Sequence, residues 1–162
     1  MSWALQWYET HNAIYTTDLA YKAAREECTE EVDNHFPHSE FHVEETSVRQ
    51  CCNLETGDAL KQALTTGPVA ISVHADQPTF RFYRSGLIDA DCEGSEATLD
   101  HGIVAYGYGI EPTTGKFGFM VKNSWGQRWG LKGMGWVGET QCGINADFAW
   151  AHGIADNKKV SE

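Results

Sequence analysis

The feature that most constrains the fold is a pair of strand-like runs, one headed by a histidine and the other ending in an asparagine. Asp100-His101-Gly102 leads into Ile103, Val104, Ala105 and Tyr106, closed by Gly107-Tyr108-Gly109. Phe117, Phe119, Met120 and Val121 then run into Lys122-Asn123-Ser124-Trp125-Gly126-Gln127-Arg128-Trp129-Gly130. Adjacent antiparallel strands would bring the His101 ring beside the Asn123 amide. An amide oxygen accepts an imidazole N–H, which fixes the ring and its tautomer and leaves the other nitrogen for chemistry. Trp125 is large enough to lie over that hydrogen bond and keep water off it. Taken alone, His101 also reads as a satisfied core histidine.

A histidine followed by a strand ending Gly107-Tyr108-Gly109, then Val121-Lys122-Asn123-Ser124-Trp125-Gly126, Trp129-Gly130 and Cys142-Gly143-Ile144, resembles the papain-like cysteine peptidases. The match covers most of the chain and is most specific from Leu99 to Ile144. The resemblance implies an α+β fold. Residues 41–162 would form the papain-like right domain, an antiparallel β-barrel-like sheet with short helices, carrying His101 and Asn123. Residues 1–40 would be a remnant of the helical left domain and a connecting loop. It also implies a cysteine-type peptidase acting on peptides or proteins, with His101 as base, Asn123 orienting it and Trp125 shielding the pair. Trp129 matches a tryptophan bordering the leaving-group side of the groove, or else simply packs. Asp147, five residues after Cys142, falls where the family floors its second specificity pocket, with Ser72 and Gly102 lining it. An acid there would favour a basic substrate side chain, and the alternative is a surface aspartate. Asp100 is either a solvated acid or a modulator of His101.

The family's nucleophile sits in a Gly-Ser-Cys-Trp type segment, about 130 residues or more ahead of the histidine. Counting back that far from His101 lands before residue 1, and Cys28, Cys51, Cys52, Cys92 and Cys142 all have other neighbours. The glutamine that helps form the oxyanion hole belongs to the same segment. The expectation is therefore the C-terminal portion of such an enzyme, supplying His101 and Asn123 but no attacking sulfur, and inactive by itself. Either a second chain brings the nucleophile, or the chain is an inactive homologue serving as a binding or structural subunit. A thiol enzyme of another kind, such as an acyltransferase, is a third option on this scaffold. With the nucleophile helix absent, a groove wall would be open, and a second chain or a further copy is expected to cover it.

Five cysteines favour an oxidising compartment, and an odd number leaves at least one free or paired outside the chain. The resemblance implies a Cys92–Cys142 disulfide. The position matching Cys28 pairs in the family with a cysteine in the missing segment; Cys28 has Cys51 and Cys52 as other options. A replacement nucleophile at Cys51 or Cys52 is disfavoured, because Glu44, Glu45 and Glu55 oppose a thiolate. A formal net charge of −11 without a basic patch argues against nucleic acid. No apolar run is long enough to span a membrane, and no secretory signal stands at Met1. A lysosomal, vacuolar or extracellular location follows from the resemblance alone. No cofactor is implied. Glu30, Glu31, Asp33, His35, His38 and His42 offer metal-ligating groups, but their spacing fits no tight zinc template, so a solvated loop and no metal site is the reading.

Local patterns predict a helix from Ser2 to His11 capped by Ser2, and a loop or short helix capped by Asp18. They predict an edge strand in Phe41–Arg49 and a helix in Thr56–Thr66 stopped by Gly67-Pro68. A strand follows at Val69–Val73; then come core aromatics Phe80, Phe82 and Tyr83, a final strand within Gly130–Gly138 and a polar tail from Ala151 that is loose at its end.

Overall fold

The computed structural model describes residues 1–11, 13–17, 19–22, 24–25, 41–44, 48–51 and 56–156. Asp18, Cys28, Cys52 and the acidic, histidine-rich run lie outside these residues, as does the end of the polar tail. The described chain forms α1 (Ser2–Trp7), β1 (Phe41–Val43), β2 (Val48–Cys51), α2 (Asp58–Leu64) and β3 (Val69–Val73). It continues through α3 (Pro78–Arg81), β4 (Leu87–Ile88), β5 (His101–Ile110), β6 (Phe117–Lys122) and β7 (Met134–Val137), ending in β8 (Phe148–Ala151) and β9 (Ile154–Asp156).

Seven strands make one sheet in the order β2-β8-β3-β5-β6-β7-β4, antiparallel except for the β4–β7 pair. The sheet does not close on itself; β2 and β4 are its edges. β1 and β9 pair separately.

Alternation sets the faces. In β3, Val69, Ile71 and Val73 are buried while Ala70 and Ser72 face out. In β5, Ile103 and Ala105 point to the core and Gly102, Val104 and Tyr106 point away from it. A register shift between Ala105 and Gly107 lets β5 run on through the glycines to Ile110. α2 lays Leu60 and Ala63 against this core, three positions apart on one helical face. Phe80, Phe119 and Phe148 join Val121, Val137 and Ile144 there. Burying each of these large side chains is worth about 1.5–3 kcal/mol.

Several local expectations shift. α1 is shorter than predicted, and Ser2 is its buried first residue rather than its cap. Of the loop or short helix expected over 18–27, the described residues 19–22 and 24–25 form loop. The expected edge strand is two strands: Phe41–Val43 pairs with β9, and Val48–Cys51 edges the main sheet. β7 is not the last strand, because β8 inserts between β2 and β3, and residues 154–156 at the start of the polar tail pair with β1. Phe82 is 70% exposed while its neighbours Phe80 and Tyr83 are buried. The short helix α3 turns successive side chains to different sides, which an extended run would not do.

Candidate active site

His101 opens β5 and pairs with Val73 of β3. On its other side, β5 pairs with β6 in the register Val104 with Lys122. Extending that register by one residue sets Asn123 opposite Ile103, diagonal to His101 and on the same face. The Asn123 backbone is fixed by its N–H donating to Gly133 C=O at 2.8 Å. His101 Nε2 lies 2.9 Å from Asn123 Oδ1. Ser124 N–H donates to the same Oδ1 at 2.7 Å. An atom that receives a backbone N–H must be the amide oxygen, so the imidazole proton is on Nε2 and Nδ1 carries the lone pair. Asn123 is buried, and its Nδ2 has no partner among the described residues.

Trp125 stacks over His101 with ring centroids 4.8 Å apart and planes inclined by 30°. It is 43% exposed, a roof with one face to water. Phe80 and Trp129 meet it edge-on at 5.7 and 6.4 Å. Trp129 is only 4% exposed, and its Nε1–H donates to Phe80 C=O at 2.8 Å. It therefore packs beneath Trp125 and is absent from the cleft lining. Gly126, at φ +80°, makes the turn out of the Trp125 segment, and Gly130, at φ +52°, leaves room for the Tyr83 ring that a Cβ would strike.

A cleft of about 620 Å³ opens on this pair, lined by Ala75, Asp76, Arg81, Phe82, Asp100, His101 and Trp125. Asp100 accepts Ala75 N–H at 2.7 Å and Asp76 N–H at 3.1 Å. Its carboxylate thus holds the chain leaving β3 against the start of β5. Asp76 in turn pairs with Arg81 at 2.9 Å, an exposed ion pair in the cleft lining.

The residues expected at a second pocket lie together on the outward face. Ser72 pairs with Gly102 across β3 and β5. Ser72 Oγ–H donates to Asp147 Oδ2 at 2.7 Å. Two further residues join them without any signal in the local sequence. Gln50 of β2 donates Nε2–H to Asp147 Oδ1 at 3.1 Å. Met1 Sδ lies 3.2 Å from where a Cβ on Gly102 would stand. Met1 and Gln50 are far from Gly102 and Asp147 in sequence, so only the fold could find them. Phe80 was legible as an aromatic but not as the support of Trp125.

Cys92 and Cys142 are bonded, with a Cα–Cα distance of 4.7 Å, as the resemblance implies. Cys51 is also disulfide-bonded, to a partner outside the described residues. The described residues therefore contain no free thiol. They also contain no cluster of three or more metal-ligating side chains, and no helix long and apolar enough to cross a membrane.

A sequence profile of the papain family cysteine proteases matches residues 1–152. Cysteine endopeptidase RepA from Oryza sativa subsp. japonica is 40% identical over 97 residues, 60% of this chain and 24% of that protein. Procathepsin L from Mus musculus is 39% identical over 77 residues, 46% of this chain and 22% of its own length. The chain thus spans about a quarter of the length of these relatives. Among solved structures, the bromelain protease from Ananas comosus in complex with the E64 inhibitor superposes with a TM-score of 0.75 at 26% identity. That match covers 91% of this chain and 65% of bromelain's. A Carica candamarcensis cysteine protease, CMS1MS2, gives 0.74 at 26% identity, covering 92% of this chain and 66% of its own.

Proposed function

The chain belongs to the papain family of cysteine proteases, and from that premise we propose that it serves in peptide-bond hydrolysis by Cys-His-Asn chemistry, supplying the histidine and the asparagine. The cysteine comes from polypeptide outside these residues. The observation that carries the reading is the His101 Nε2–Asn123 Oδ1 hydrogen bond roofed by Trp125. It leaves Nδ1 as the nitrogen able to take and give a proton. A thiolate facing Nδ1 attacks the peptide carbonyl. His101 then protonates the leaving amine, and water cleaves the thioester with His101 as base. Asn123 keeps the ring from turning, Trp125 keeps the hydrogen bond dry, and Trp129 stiffens Trp125 from below. The cleft of Ala75, Asp76, Arg81 and Phe82 takes the leaving-group side of the substrate. Asp147, with Ser72, Gly102 and Met1, forms the second pocket and selects a basic side chain.

The chain carries surface suited to a cover. An apolar groove of about 390 Å³ runs past Leu5, Val104, Trp150 and Ile154. Trp150 Nε1–H is buried without a partner among the described residues. Val104 and Tyr106 on the outward face of β5 are exposed, and past the register shift Tyr108 and Ile110 are exposed on the opposite face, beside Phe119 and Phe117. A second chain or another copy of this one covers these surfaces, and the first would bring the sulfur. The relatives and the bonded cysteines fit a lysosomal, vacuolar or extracellular setting.

A second reading has one observation in its favour: all three described cysteines are in disulfides. On that reading the chain is an inactive homologue acting as a binding or structural subunit. Labelling the protein, as isolated with whatever accompanies it, with a thiol-reactive peptidyl epoxide separates the two. Modification of an accompanying polypeptide is the expected result, and no modification of any component favours the inactive homologue.

A further inference from the structure

The Asp147 carboxylate is held in an unusual way for a partly exposed acid. Both of its oxygens receive side-chain donors, Ser72 Oγ–H on Oδ2 and Gln50 Nε2–H on Oδ1. Both donors are neutral, and they come from different strands on either side of β8. Among the described residues no lysine or arginine pairs with Asp147; the ion pairs formed there use Lys61, Arg81 and Lys116. The backbone adds a third tie, because Asp147 C=O accepts Ser72 N–H at 2.9 Å. The group is therefore fixed in place with its charge uncompensated. Fixed orientation without neutralisation is what a site needs if its charge is to be spent on a ligand. Gln50 is the informative partner. Its own side chain is exposed, so it gains little by burial, and it reaches Asp147 from an edge strand with no covalent or sequence proximity.

We propose that Gln50 is a positioning residue for substrate selection. It clamps Oδ1 so that the Asp147 charge stays directed at the Gly102–Met1 side of the sheet, where a guanidinium or ammonium side chain of the substrate is received. The proposal rests on the reading of Asp147 as the floor of the second pocket. Loss of the amide lets the carboxylate swing toward water, which weakens discrimination between charged and neutral side chains without touching the His101–Asn123 pair.

The test needs no nucleophile. Two probes are titrated into the ¹⁵N-labelled full chain, Nα-acetyl-arginine methylamide and its citrulline counterpart, which has nearly the same shape and no charge. Kd values come from amide shifts at Ser72, Gly102 and Asp147. The expected arginine-over-citrulline preference is about tenfold for the native chain. It falls to about one in Asp147→Asn and to about threefold in Gln50→Leu. It disappears in Gln50→Lys, where the new ammonium neutralises the carboxylate from the same position. A purely structural role for Gln50 would change both Kd values together and leave their ratio alone. If Asp147→Asn abolishes the preference and Gln50→Leu keeps it, the role of Gln50 is overturned and the pocket reading stands. If Asp147→Asn leaves the ratio unchanged, or neither probe binds at millimolar concentration, the pocket reading itself fails.

Discussion

Replacing Asn123 with alanine separates the positioning of His101 from the stability of the fold. Asn123 Oδ1 accepts two hydrogen bonds, from His101 Nε2–H and Ser124 N–H. Each neutral bond of this kind is worth about 1 kcal/mol net. Against that loss stands Nδ2, a buried donor with no partner among the described residues. Removing such a donor recovers about 1–3 kcal/mol of desolvation cost. Ser124 is exposed, so its freed N–H turns to water. The terms nearly cancel, and the expected change in stability is under about 1 kcal/mol, or at most about 2–4 °C in Tm for a chain of this size. The imidazole, by contrast, loses the one acceptor it has among the described residues. A bond of about 1 kcal/mol biases the Nε2–H tautomer by about fivefold, and that bias goes. Long-range ¹H–¹⁵N spectra of the His101 ring read the tautomer directly, with thermal unfolding measured on the same sample. The native ring should be the Nε2–H form, and Asn123→Ala should mix in the Nδ1–H form with Tm almost unchanged. An unchanged tautomer in Asn123→Ala, or a native ring protonated on Nδ1, would refute the positioning argument.

Trp129→Phe removes the buried indole N–H that donates to the Phe80 carbonyl, which then keeps the longer Tyr83 N–H bond at 3.3 Å, and it empties part of the indole volume. It should cost about 2 kcal/mol in denaturant unfolding and loosen Trp125, seen as a red-shifted, more quenchable fluorescence. A stability change below 0.5 kcal/mol would count against the support role. Replacing Cys92 and Cys142 together by alanine opens a link between residues 50 apart. Chain-entropy reasoning puts the loss at about 4 kcal/mol, and chemical denaturation of the double variant checks it. Burial pushes the Glu111 carboxyl up, but hydrogen bonds from Thr114 and Thr113 outweigh it and hold the group below its ordinary 4.5. A carboxyl lowered in the folded state contributes stability above its unfolded value and loses it as pH falls through the folded one. Glu111→Gln should therefore flatten the acid side of the stability curve below about pH 4.5, and an identical pH profile in the variant would contradict this.

The sequence by itself determined β3 and the two strands that carry the His101–Asn123 pair. Val69, Ile71 and Val73 alternate without interruption, and β3 forms where they stand. His101 heads one apolar run and Asn123 ends the next. Hairpin register is a short-range property, so two side chains from neighbouring strands can be placed from spacing alone. Only the tertiary structure decided what surrounds them. Gln50 meets Asp147 across 97 residues of chain, and Met1 comes to lie on Gly102. Phe82 turns outward from a run of aromatics, and β9 pairs with β1. No local preference encodes such meetings. They arise when distant elements bury apolar faces against one sheet, and the polar groups at the rim then take whichever partners that packing brings within reach.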